Sequence, residues 1–567
     1  MHVASVPSRQ GDRQYQAYLL RQSYREGGKV KHRTLANLSM LPLPAIEAIR
    51  AVLKGQPVGA LDEQVEVERS LPHGHVLAVL GTLRRLGLDR MLSSRPRRER
   101  ELVLGMVVMR VLKPSSKLAT TRNWHASTLA QTLGVEEADE DELYGAMDWL
   151  LGRQPEVERQ LATRHLSEGQ LVLYDLTSTG IEGRHCELAR QGYSRDGKRG
   201  QLQVEVGLLT DREGCPVAVE VFAGNAGDPS TVETQVEKLR ERFGLSEVVL
   251  VGDRGMLTSA RIERLRSVGG MGWISALRSA QIRQLVQGGE LQLGLFDERN
   301  LAEIVSPNFP GERLVVCKNG ELARERTRKR DELLEATERE LSGIQERVAA
   351  GRLRGQARIG MRVGRVVNRY KMAKHFILEI ADDRFDFQRD QSSIASEARL
   401  DGIYVIRASL SGEQMSKEEL VRSYKRLAQV ERDFRMLKSS GLLLRPVYHR
   451  LEPRVRAYVF LCFLAAYLRW HMERAWAPLL FRDEQKPWSE DPVAPARRSS
   501  AATGKAQTQR LPDGSAVHSF ATLLEQLATL TKNRLRLRNT DASFDKVATP
   551  TPLQTRALQL LGLTPGL

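Results

Sequence analysis

The spacing of apolar residues changes several times along the chain. Residues 15–20 and 30–35 read as paired strands around the Glu26-Gly27-Gly28 turn, the pattern of a hairpin closed by a glycine-rich loop. Residues 75–88 and 99–112 place apolar side chains three and four apart, and 120–134 and 139–151 continue the run, which predicts a helical block. From 169 the rhythm shortens. Apolar stretches at 170–174, 203–209, 216–222, 247–251 and 272–276 predict five strands, with helices at 230–242 and 259–267 between the later ones. Three strands in a meander, then helix, strand, helix, strand, make an α/β layer architecture.

Beyond 281 the pattern is mixed. Residues 321–350 predict a densely charged helix with Leu333, Leu334, Leu341, Ile344 and Val348 on a narrow stripe, read as a solvated helix or short coiled-coil arm. Short strands at 375–380 and 402–407 precede a long helix at 416–440 and a very apolar one at 454–481. Its unbroken apolar stretch, 457–468, is too short to span a bilayer and reads as a buried core helix. Residues 483–515, rich in Pro, Ser, Ala, Arg and Lys, predict a flexible linker, and 520–536 a terminal helix. The pattern divides the chain into a hairpin region (1–68), a helical block (69–160) whose basic edge could bind DNA, an α/β region (161–280), a stretch that does not continue its rhythm (281–400), a further strand-and-helix region (401–482), the linker, and a helical tail (516–567).

Charge sharpens this outline. The 567 residues carry 86 Lys and Arg against 70 Asp and Glu, a formal net charge of +16, so a polyanion is an expected partner. Arg21, Arg25, Lys29, Lys31 and Arg33 decorate the first hairpin, either as a solvated face or as a phosphate-contacting ribbon. Four scattered cysteines exclude a disulfide framework and form no C-x-x-C zinc pair. The first residues lack the apolar core of a signal peptide, and the expectation is a soluble cytoplasmic, nucleoid-associated protein. No P-loop points to ATP.

Three acids fall where chemistry is expected. Asp175 follows the first apolar strand in Tyr174-Asp-Leu-Thr-Ser178, Asp253 follows the fourth in Gly252-Asp-Arg-Gly-Met256, and Glu431 lies within the 416–440 helix. Strand ends of an open α/β sheet are where ligands bind, and a helix across that edge can deliver a third carboxylate. Taken singly, each is an ordinary solvated acid. Together, in a basic protein, they suit magnesium, which prefers oxygen ligands, and they suggest a metal-dependent nuclease or strand transferase.

These segments resemble the DDE transposases of bacterial insertion sequences, with a ribonuclease H-like core: a mixed sheet flanked by helices and interrupted by an inserted subdomain. The branch it resembles carries a Tyr, Arg, Glu, Lys signature. Tyr424, Glu431 and Lys438 match it at seven-residue steps that put them near one helical face, whereas Leu427 stands at the Arg position. Arg426 and Arg435 are the candidate replacements. The resemblance implies that Asp175, Asp253 and Glu431 hold two Mg²⁺ ions, for which Mn²⁺ substitutes. It implies DNA contacts by Tyr424, Lys438 and Arg435, and a homodimer assembled on element ends and target DNA. Packing for Tyr424 and solvation for Lys438 are the plainer alternatives. Metal-dependent cleavage and strand transfer are the expected activity; a nuclease without strand transfer and a non-catalytic DNA-binding protein are its rivals. Trp273 is expected in the core, Asp196 in a turn with a substrate role left open, Asp433 as a solvated helix residue, and His73 and His75 in a surface turn.

Overall fold

The computed structural model describes residues 1–10, 13–55, 65–182, 185–197, 200–296, 300–439, 441–538 and 542–564. Strands β1 (His2–Gln10), β2 (Arg13–Glu26) and β3 (Lys29–Asn37) form an antiparallel sheet. Its β2–β3 hairpin turns through Gly27 and Gly28, whose positive φ angles of 58° and 77° explain the glycine pair. β1 went unpredicted because it has Pro7 and few apolar residues to alternate. Strand β4 (Val65–Pro72) then leads into the helical block. His73 and His75 do not lie in a surface turn. His73 is buried beside Thr128, Nδ1 to Oγ1 2.8 Å, and burial lowers the pKa of both imidazoles, that of His75 to about 4.

The helices Arg98–Leu112 and Glu140–Leu151 pack on the long helix Glu452–Ala475, whose stretch 457–468 is apolar all round because it is buried in the middle of the protein. Against this layer lies the main sheet. Its strands are β5 (Leu171–Gly180), β6 (Arg190–Gln191), β7 (Leu202–Thr210), β8 (Pro216–Ala223), β9 (Val248–Gly252), β10 (Met271–Ala276), β11 (Leu301–Ile304) and β12 (Arg313–Lys318). A separate hairpin, β13 (Phe376–Ile380) with β14 (Phe385–Arg389), precedes the ninth strand, β15 (Ile403–Ala408). The order is β11-β12-β15-β10-β9-β5-β7-β6, with β8 also on β7. Among the described strand pairs of this sheet, β5–β9 and β9–β10 are parallel and the others antiparallel. The antiparallel meander β5-β7-β8 with β9 and β10 added in parallel is the mixed, helix-flanked sheet of a ribonuclease H-like core. Trp273, on β10, is fully buried as expected.

Four expectations need correction. The inserted segment is shorter than 281–400, because β11 and β12 extend the main sheet through β15. What stands apart is the helix pair Gly320–Ala349 and Gln356–Tyr370 with the β13–β14 hairpin, around Leu334, Leu341, Val363, Phe376 and Phe385. The 416–440 helix is two helices, Lys417–Lys425 and Leu427–Lys438, divided at Arg426. Residues 483–515 are a packed segment and no linker: Val493 is buried, Ser500–Thr508 is helical, and Lys505 pairs with Glu484 at 2.6 Å. The terminal helix stops at Ala528; β16 (Thr531–Leu537) and β17 (Ser543–Val547) follow, and β16 pairs with β4. Among the described residues, no helix is long and apolar enough to cross a membrane.

Candidate active site

Val172, Leu173 and Tyr174 are fully buried, so β5 is pinned at the centre of the sheet. It runs past Asp175 to Gly180, which places the acid within the strand instead of at its end. The parallel register sets Tyr174 opposite Gly252, so that Asp175, within β5, is followed across the sheet by Asp253, just past the end of β9. The helix Leu427–Lys438 buries Leu427, Val430, Phe434 and Leu437 and packs on β5, leaving Glu431 exposed. All three acids line one cleft of about 1150 Å³.

Tyr424, Arg435 and Lys438 line the same cleft, so the seven-residue spacing survives the helix break. The Tyr424 hydroxyl donates to Asp253 Oδ1 at 3.4 Å, and burial, then the Asp253 charge, push the phenol pKa up. Leu427, at the family's Arg position, is buried on the cleft wall. Arg426 turns toward Glu419, 3.5 Å away.

Electrostatics mark the acids as a group. The Asp175 carboxyl is pushed up to about 7, mainly by burial, with the Asp253 and Glu431 charges adding; the Leu176 N–H, donating at 2.8 Å, and Arg195 oppose the shift. A carboxylate whose charge is disfavoured by burial and by two neighbouring acids gains from a cation. Three hard oxygen donors in one cleft therefore fit divalent metal. Ligands of two ions roughly 3.5–4 Å apart need not touch one another.

The sequence reading missed the cleft's cationic wall. Arg195, Arg254 and Arg445 line it beside Arg435. Asp196 sits in the expected turn, where its carboxylate meets Lys438 Nζ at 3.0 Å and Arg445 at 2.6 Å. Burial raises the Asp196 pKa, but the two cations outweigh it and hold the group below the usual carboxylate range. Lys438 moves down through burial, opposed by Asp196. The one available signal was the charge pattern of Tyr193-Ser-Arg-Asp-Gly197. Asp433 does face away from the acids but is not solvated: it lines a second cavity, of about 930 Å³, and burial, then Glu473, push its carboxyl up to about 8.

The transposase DDE domain matches residues 167–468. The chain belongs to that family. The N-terminal domain of the IS1634 family of transposases matches residues 3–63, which identifies an insertion-sequence transposase. Among solved structures, the transposase is similar to the piggyBac transposase in its synaptic complex with hairpin DNA, at 10% identity and a TM-score of 0.36, over 80% of this chain and 76% of that one. It is also similar to the Mos1 transposase in a paired-end complex with the left transposon end, at 13% identity and a TM-score of 0.14, over 30% of this chain and 62% of that one. No curated protein matches it.

Proposed function

We propose that this transposase binds the inverted-repeat ends of its insertion sequence, cleaves a phosphodiester there, and joins the freed 3′ end to target DNA. The observation that carries the reading is the shared cleft of Asp175, Asp253 and Glu431, walled by Arg195, Arg254, Arg435, Lys438 and Arg445. Local acids inside a basic wall suit metal and DNA together, since the acids alone would repel phosphate.

Asp175, Asp253 and Glu431 would hold two Mg²⁺ ions, or Mn²⁺ in their place. Bound there, divalent metal supplies Lewis acidity and makes water a competent nucleophile at neutral pH. The rigid β5–β9 pair fixes two of the acids relative to each other, and the packed face of Leu427–Lys438 fixes the third. Lys438 and Arg445, held in place by Asp196, offer positive charge to the scissile strand, and exchange that carboxylate for a DNA phosphate. Tyr424, bonded to Asp253, abuts the transposon end, and Arg435 contacts the backbone. In the first step water adds to phosphorus as the bond to the 3′ oxygen breaks, leaving a 3′-hydroxyl and a 5′-phosphate. In the second that hydroxyl attacks a target phosphodiester, one P–O bond forming as another breaks.

The exposed strand β3, with Lys29, Lys31 and Arg33, is the proposed ribbon on DNA flanking the cleft, and two copies act together because two ends must be joined. The test pairs a labelled end fragment with a marked target plasmid. Wild type in Mg²⁺ is expected to give cleaved and joined products, and Asp175→Asn to bind ends without cutting. Cleavage without joining would identify a nuclease. Unchanged cutting by Asp175→Asn would overturn the assignment.

A further inference from the structure

Away from the cleft, three segments meet only in the folded chain. His165 is the last residue of the helix Gln154–His165, Cys215 closes the β7–β8 turn immediately before Pro216, and His471 lies in the last turns of Glu452–Ala475. Cys215 Sγ is 3.9 Å from Nε2 of each histidine, and the three ligand atoms all lie within 4.8 Å of one another. Among the described residues, no other set of three or more His, Cys, Asp or Glu side chains is gathered this way.

We propose that His165, Cys215 and His471 form a structural metal site for a zinc-class ion, pinning the β7–β8 turn to the two helices. A tetrahedral ion with Zn–S of about 2.3 Å and Zn–N of about 2.0–2.1 Å sets its ligand atoms ~3.5 Å apart, so each sulfur contact of 3.9 Å must close by ~0.4 Å and no pair, all being within 4.8 Å, by more than ~1.3 Å. One thiolate with two imidazoles is a borderline-soft donor set that selects zinc over the magnesium suited to the acids. The surroundings agree with ligation. Asp211 Oδ2 faces His165 Nδ1 at 3.8 Å, beyond hydrogen-bond distance, on the side from which a carboxylate orients a metal-binding ring through its far nitrogen. Asp211 Oδ1 accepts from the Cys215 and Glu213 N–H groups, each at 2.8 Å, and so shapes the turn that presents the sulfur.

A divalent ion here would meet the Cys215 thiolate and the Asp211 carboxylate, which together offset it against the neighbouring Arg164, Arg474 and Arg85. The Tyr467 hydroxyl, 2.9 Å from His165 Nε2, stands where a fourth donor or a water is needed. Without an ion, the 3.9 Å sulfur contacts are long hydrogen bonds that add little beyond packing. The site also backs the catalytic helix: a Cβ at Gly214, next to Cys215, would fall 2.7 Å from Gln429 Oε1, two residues before Glu431.

The test uses the full chain, purified without chelator and reconstituted with Zn²⁺ or Co²⁺. Wild type and Asp175→Asn are expected to retain about one zinc per chain after dialysis. Cys215→Ala and His471→Ala are expected to lose it. Cobalt in wild type should give a thiolate-to-metal charge-transfer band that is absent from Cys215→Ala. Wild type that retains no zinc and shows no such band would overturn the proposal, as would a Cys215→Ala protein still carrying both. If the variants fail to fold, the wild-type spectrum decides alone, and the outcome for DNA cleavage is read separately with Asp175→Asn.

Discussion

Glu158 offers a direct test of what holds the catalytic sheet to its helices. Its side chain has no solvent exposure, yet it accepts from Gln154 Nε2 at 2.8 Å, the Val219 N–H of β8 at 3.1 Å and Arg242 Nη1 at 3.2 Å, and it pairs with Lys238 Nζ at 3.2 Å. Lys238 is also almost fully buried and has a second partner, Glu220, at 2.9 Å. Glu158→Ala removes the acceptor of four donors and should cost about 3–5 kcal/mol, the range for breaking a buried pair from one side. Lys238→Met leaves the buried acid with Arg242 and two neutral donors and should also cost stability, though less. The double variant Glu158→Leu/Lys238→Met behaves differently. Both buried charges go, Glu220 keeps Arg456 at 3.0 Å, and the main loss is an unmade Val219 N–H, worth about 1–3 kcal/mol. The double variant should therefore be more stable than either single one. Urea titrations of the full chain followed by far-UV circular dichroism, with m-values compared, measure this order. Additive losses would refute the reasoning, since they would mean that each charge was well solvated alone.

Glu431→Gln should, like Asp175→Asn, lose cleavage by orders of magnitude while gel shifts with end DNA persist. Lys438→Met should weaken DNA binding and flatten the slope of log K against log salt by about 0.9, one phosphate contact, in fluorescence anisotropy. Lys117 is buried beside Arg110, and burial first, then that charge, lowers its pKa from 10.5 to about 7. The unfolded chain then binds the extra proton between pH 7 and 10.5, so this group makes folding more favourable as pH rises through that window. Relative to wild type, Lys117→Met should be stabilised at pH 7, and the gap should close toward pH 10 in parallel melts.

Much of the catalytic core was legible because its signals are local. Runs such as 170–174 and 247–251 are apolar enough to be central strands, and an acid just beyond each stands out against them. The seven-residue repeat of Tyr424, Glu431 and Lys438 needed only helical geometry. What stayed hidden depends on contacts between distant segments. β16 reads Thr-Lys-Asn-Arg-Leu-Arg-Leu, with alternation confined to Leu535 and Leu537 at its end, and is a strand because β4 lies against it. β11 and β12 join the sheet only once β15 has crossed back, so their short runs passed as part of an insertion. The partners of Lys438 and the His165, Cys215 and His471 cluster are assembled wholly by tertiary packing.

The pairing of β4 with β16 joins segments from opposite ends of the chain. During biosynthesis β4 leaves the ribosome long before its partner exists, so an unfinished strand edge must wait through nearly the whole of translation. A chain cut short between Glu431 and Thr531 would carry that edge permanently, with all three acids of the cleft already made. Such fragments should be sticky and quickly degraded, and the fold thereby discourages partial products that could grip DNA without completing the reaction.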